Sequence, residues 1–190
     1  MKFINKFKKI EGDASFRKFY KNKINNSIIV VANKEKNKNL LIYDAVNKIL
    51  IKNKILAPKL ISQNYKKNYI EIEDLGKKTI FQILKEKKLN NYIIMTKVLR
   101  ILKKIQFIKD KKINNFQNKS YKIKEYKKKI LFNETRLFCE WYVPRKLSQK
   151  KIKDFNLKLQ KEISFLISKL NYKNNTFVHR DFHVSNLVYN

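Results

Sequence analysis

Both histidines of the chain fall within one stretch of eight residues, His179-Arg180-Asp181-Phe182-His183-Val184-Ser185-Asn186. An aspartate two residues after a histidine, with an asparagine five residues further on, is the spacing H-x-D-x-x-x-x-N. The chemistry such a loop performs is phosphoryl transfer to a hydroxyl. Asp181 would accept the proton of the attacking hydroxyl, which requires a fixed carboxylate close to that oxygen. Asn186 would offer an amide oxygen, a hard ligand suited to Mg²⁺ when carboxylate and phosphate oxygens supply the rest. His179 is expected to fix the loop by hydrogen bonding, and His183 completes the catalytic set. Zinc held by His179 and His183 is set aside because no third ligand is evident.

The elements that must position this loop can be read from periodicity. Residues 3–32 read as strands, with Phe16–Tyr20 aromatic and Ser27–Ala32 β-branched. Gly12-Asp13-Ala14-Ser15 lies between the first two as a hairpin turn. Asn39–Lys54 carries apolar residues at 41, 42, 45, 46, 49 and 50, a helical repeat that stops before Pro58. Tyr69–Glu73 alternates as a strand should and runs into Asp74-Leu75-Gly76, a turn. Helices are expected over 79–88, 91–109, 121–142 and 150–170, the last capped by Ser148. Asn22–Ser27, Asn33–Asn39 and Asp110–Ser120 read as polar connectors, and 176–190 as extended. The layout is α+β: a small antiparallel β-rich lobe at 1–72, a hinge at 73–76 and a mainly helical lobe at 77–190.

Composition bounds the partners. Hydrophobic residues are 43% and aromatics 13%, which argues against disorder. No apolar run approaches the roughly 18 residues of a membrane span, and the first residues lack the apolar core of a signal peptide. A lone Cys139 excludes an intrachain disulfide framework and suits a reducing compartment, so a cytoplasmic location is expected. The net charge of +31 suggests polyanions, but of 46 basic residues only five are arginine. The lysines are spread along the chain, and base readout favours arginine. A basic nucleic-acid-binding protein is therefore kept as an alternative, and no specific nucleic-acid partner is expected.

The loop His179–Asn186 resembles the catalytic loop of the aminoglycoside phosphotransferase family, which has a protein-kinase-like fold. Protein kinases usually carry lysine two residues after the catalytic aspartate; this family usually carries histidine, here His183. Val184-Ser185 departs from the Pro-Gly often found there. Gly12-Asp13-Ala14-Ser15-Phe16-Arg17 resembles a segment of bacterial members that phosphorylate amino sugars such as N-acetylmuramate and N-acetylglucosamine. Glu73-Asp74-Leu75-Gly76 is similar to the segment after the hinge strand, and Leu137–Tyr142 resembles an aromatic helix of the substrate lobe.

The resemblance implies an ATP- and Mg²⁺-dependent kinase acting on a small-molecule hydroxyl, an amino sugar. Gly12 and the backbone amides of Ala14, Ser15 and Phe16 would face nucleotide phosphates. Glu73 and Asp74 would lie at the adenine hinge. The usual strand lysine and helix glutamate are missing, the helix offering only Asp44, so either Arg17 or Lys34 would neutralise phosphate or phosphate binding is weak. Trp141, Phe138 and Tyr142 could stack on a sugar, although such a stripe is more often core. A second metal-binding aspartate would follow Asn186, so the chain is expected to be C-terminally truncated. A catalytically inactive remnant serving as a binding module is the other alternative.

Overall fold

The computed structural model describes residues 6–10, 17–76, 78–171 and 175–189. The architecture is α+β, built on a five-stranded antiparallel sheet in the order β1-β2-β3-β5-β4. Its strands are β1 (Phe7–Ile10), β2 (Arg17–Asn22), β3 (Ser27–Ala32), β4 (Leu60–Asn64) and β5 (Tyr69–Glu73). One helix, α1 (Lys38–Lys52), comes between β3 and β4.

The sheet's register follows from two-residue periodicity. In β5, Ile70 and Ile72 are buried while Tyr69, Glu71 and Glu73 face the other side. They pair with β3 so that Val30 opposes Ile70 and Ile28 opposes Ile72. Leu40 of α1 closes this layer with Val30, Ala32, Ile70 and Ile72. A second layer packs Ile49 and Leu50 of α1 against Ile55, Ala57, Ile105 and Ile108.

Beyond β5 come α2 (Ile80–Glu86) and α3 (Asn91–Gln106). Thr79 and Gln82 form a reciprocal capping box at the start of α2, the arrangement that satisfies two otherwise orphaned helix amides. Asn90 caps α3 by accepting from the amides of Tyr92 and Ile93. Ile94, Val98 and Ile105 form the buried stripe of α3, spaced as one helical face must be.

The chain divides into two compact units, residues 1–123 with 177–190, and residues 124–176. The hinge segment 73–76 and the loop 179–186 both belong to the first. The second contains α4 (Lys128–Leu137), a π-helical turn (Phe138–Tyr142) and α5 (Gln149–Lys169).

Three expectations change. The connector Asp110–Ser120 contains β6 (Lys112–Asn114), which pairs with β7 (Ser120–Lys122) around an Asn115-centred turn. The helix expected over 121–142 starts only at Lys128, because Tyr121 is committed to the β7 ladder. Ser148 occupies the cap position of α5, but its side chain makes no capping hydrogen bond. The turn Gly12–Ser15 lies outside the described residues, between strands that pair antiparallel through Ile10 and Phe19. No helix among the described residues is long and apolar enough to cross a membrane.

Candidate active site

The loop 179–186 is anchored by its apolar members. Phe182 packs against both the Ile49–Ile105 layer and the Ile80–Val98 layer, while Val184 and Leu187 join the second. Backbone bonds then fasten the exit strand. Ile80 N–H donates to Leu187 C=O at 2.8 Å, and Tyr189 N–H donates to Lys78 C=O at 2.9 Å. They flank an isolated antiparallel bridge between Thr79 and Val188. With Phe182 turned inward, alternation sends Asp181 and His183 outward. The Asp181 side chain is 73% exposed and that of His183 48%.

Asp181, His183 and Asn186 come together. Asn186 Nδ2 donates to Asp181 Oδ2 at 2.7 Å and to the Asp181 carbonyl at 3.1 Å. A short 3₁₀ turn over Val184–Asn186 makes this reach possible, with Asn186 N–H donating to His183 C=O at 2.9 Å. His183 Nδ1 accepts from the Ser185 amide at 3.3 Å. That contact assigns the ring proton to Nε2, which stands 3.3 Å from Asp181 Oδ1. The approach of Asn186 Nδ2 to His183 Nε2 at 3.1 Å is then a packing contact, since both atoms carry hydrogens. Both carboxylate oxygens of Asp181 are thereby directed, while the group stays open to solvent.

His179 sits behind this cluster, its ring edge-on to Phe182 with centroids 5.7 Å apart. Its Nδ1 is buried with no hydrogen-bond partner. Burial lowers the His179 pKa, with His183 acting in the same direction and Asp181 opposing. His179 is thus a wedged ring whose burial disfavours the proton.

The residues expected at the hinge, Glu73 and Asp74, are held by side-chain and backbone contacts. Lys21 of β2 forms an ion pair with Asp74, whose side chain is 7% exposed. Asp74 Oδ1 also accepts from the Gly76 amide at 3.1 Å. Asp74 is therefore shielded and paired, where an isolated acidic turn would be solvated. Glu73 N–H donates to Lys59 C=O at 2.9 Å, and its carboxylate accepts from the Lys59 amide at 3.3 Å. Gly76 has φ +145°, and a Cβ there would lie 3.0 Å from Val188 Cγ1. The glycine lets the turn after β5 approach the segment that leaves the loop 179–186.

Of the expected phosphate-binding cations, Lys34 is exposed on a 3₁₀ turn after β3. Arg17 places its guanidinium 4.8 Å from the ring centroid of Tyr43 on α1. Burial lowers the Arg17 pKa, opposed by Tyr43; burial raises the Tyr43 pKa. Asp44 is buried and ion-paired with Lys48 one turn on, at 2.9 Å, so it is not the partner of a strand cation. Gly12, Ala14, Ser15 and Phe16 lie outside the described residues. Phe138, Trp141 and Tyr142 belong to the second unit, where they are exposed and not core; Cys139 and Val143 are the buried residues of that turn.

The described residues supply only part of the magnesium site that the resemblance implies. The cluster offers the Asp181 carboxylate and the Asn186 amide oxygen, and Asn186 turns its Nδ2 toward the carboxylate. Among the described residues no group of three His, Cys, Asp or Glu side chains could hold a metal ion.

Sequence reasoning missed Lys21 and the capping role of Thr79, and it read Gly76 only as part of a turn, without its approach to Val188. A signal existed for two of them: Gly76 is one of only two glycines in the chain, and Thr79-x-x-Gln82 is a capping-box spacing. No protein-family model, curated protein or solved structure matches the chain.

Proposed function

We propose that the chain is a phosphotransferase that moves the terminal phosphoryl group of ATP onto a small-molecule hydroxyl. The observation that carries it is the convergence of Asp181, His183 and Asn186 on one exposed carboxylate. Asp181 Oδ1 or Oδ2 takes the proton of the acceptor hydroxyl. The freed oxygen forms a bond to the γ-phosphorus as the bond to ADP breaks. His183 and Asn186 aim the carboxylate, and general-base catalysis of this kind contributes roughly 10²–10⁴-fold.

Further support comes from the antiparallel sheet with its single inserted helix, in keeping with the small lobe of a kinase-like bilobal fold. Arg17 over Tyr43 supplies a cation between β2 and α1, close to where a kinase-like fold pairs a strand lysine with a helix glutamate. An amino-sugar acceptor follows from the resemblance of Gly12–Arg17 alone. Magnesium would enter with the nucleotide, since the described residues form no site for it on their own. The same observation favours a second reading, a kinase-fold binding module without turnover.

The two are separated by incubating the full chain with γ-labelled ATP and a panel of amino sugars. Transfer of label by the native chain and its loss in Asp181→Asn support the phosphotransferase. ATP binding by calorimetry with no transfer to any acceptor favours the binding module.

A further inference from the structure

The π-helical turn Phe138–Tyr142 has its own physical logic. Val143 N–H donates to Phe138 C=O, five residues back. The wider turn sends Cys139 and Val143 inward, 4% and 2% exposed. Leu137, Phe138, Trp141 and Tyr142 are sent outward, at 51, 46, 67 and 50% exposed. Four large apolar side chains on one short turn form a patch of the kind that marks an interaction surface. A π-turn spends backbone hydrogen-bond quality and is frequent at functional sites.

The charge beside the patch selects what covers it. Glu140 is neutralised by Arg136 at 3.2 Å. From there to Asp154 the chain holds Arg145, Lys146, Lys150, Lys151 and Lys153 and no acidic residue. Lys146 Nζ lies 5.9 Å from the Tyr142 ring centroid, so positive charge stands directly beside the aromatic face. A second copy of this chain would bring two such basic runs together and be repelled. A single-stranded nucleic acid would need free ring faces for base stacking. Phe138 and Tyr142 stack on each other, with centroids 4.9 Å apart and planes at 24°, which takes one face of each ring from a base, and Lys146 stands by the Tyr142 ring. Tryptophan and tyrosine beside aliphatic side chains, next to a lysine-rich run, match the headgroup region of an anionic bilayer.

We propose that the turn Leu137–Tyr142 and the basic run Arg145–Lys153 form a monotopic docking surface for anionic lipid. Leu137, Phe138 and Trp141 enter the headgroup–acyl boundary, and Arg145 and Lys146 contact lipid phosphates. The surface is independent of the chemistry at Asp181.

Trp141 is the only tryptophan of the chain, so its fluorescence reports on the patch alone. The experiment adds vesicles of phosphatidylglycerol with phosphatidylcholine, or of phosphatidylcholine alone, to the full chain. The expected result is a blue shift of Trp141 emission with anionic vesicles and none with neutral ones. Arg145→Ala combined with Lys146→Ala should weaken co-sedimentation roughly thirtyfold. Phe138→Ser with Tyr142→Ser should also weaken it, whereas Lys112→Ala with Lys119→Ala should leave it unchanged. All three pairs are surface changes, and unaltered circular dichroism checks that the fold is kept. Unshifted emission with anionic vesicles overturns the proposal. So does equal co-sedimentation by the Phe138/Tyr142 variant, which would reduce the effect to diffuse lysine attraction. A blue shift produced by a single-stranded polynucleotide or by a free amino sugar, and not by vesicles, assigns the patch to that ligand and overturns it too.

Discussion

Asn186 donates through its side-chain amide to both the carboxylate and the backbone carbonyl of Asp181, five residues before it. The loop thus carries its own brace, and the orientation of the proposed base is set locally. Asn186→Ala should lower phosphotransfer by about 10²-fold or more, because the carboxylate loses its alignment. Asn186→Asp would place a like charge against Asp181 and should be at least as damaging. Steady-state rates of label transfer from ATP check both.

Gly76 sets how closely the turn after β5 meets the segment around Val188. Gly76→Ala should destabilise the chain by about 1–3 kcal/mol, through a positive φ and the clash with Val188. Urea unfolding measures this. The companion Val188→Ala change should recover part of the loss by relieving the clash; no recovery would show that backbone conformation alone is responsible.

Removing the partner of Asp74 leaves a shielded carboxylate unpaired. Lys21→Met should cost about 1–3 kcal/mol of stability. Lys52→Met, which breaks a much more exposed pair with Asp110, should cost under about 1 kcal/mol. The difference between the two in one denaturation series tests whether the β2-to-hinge pair is structural.

Burial disfavours the charged form of His179, so its folded pKa lies below its unfolded one. Its contribution to stability is fully present above the unfolded value of about 6.5. It is lost as pH falls through the lowered folded value, because the unfolded chain takes up the proton first. The urea midpoint should therefore start to fall as pH drops below about 6.5, and the fall should be smaller in His179→Phe.

Phe182 ties the loop to two hydrophobic layers at once. Phe182→Ala should cost about 2 kcal/mol, less than the roughly 3–5 of a fully enclosed phenylalanine, since the ring is only half-buried. Phe182→Leu should restore most of the stability, measured by the same unfolding curves.

Where one face of a segment is buried, the sequence reads clearly. β3, β5, α1 and α3 alternate or repeat with the period of their own geometry, and all four lie within a few residues of where periodicity puts them. β6 and β7 were illegible because their register rests on an Asn115 turn and not on a buried face; only Ile113 and Tyr121 are partly covered. The break before α4 was hidden for the same reason, since Ile123 and Tyr126 continue an apolar spacing across it. At the site, Asp181, His183 and Asn186 were legible because three hydrogen-bonding types recur inside one loop. Gly76 and Thr79 meet Val188, just after the loop, from far along the chain, and Lys21 meets Asp74; no local spacing connects them. The aromatic turn was misread as more often core, because α-helical spacing does not foresee the extra residue of a π-turn.

The bridge between Thr79 and Val188 bears on the order of folding. The helices α1, α2 and α3 and the β1–β2–β3 and β4–β5 pairings can each form from neighbouring residues, and β3 meets β5 across about 40 residues. The bridge joins residues separated by more than half the chain, and so it must wait until the intervening segments have been traversed. The loop that carries Asp181 is therefore among the last parts to become native and the first to open. In hydrogen exchange the amides of Ile80 and Tyr189, which flank that bridge, should lose protection before those of β3 and β5.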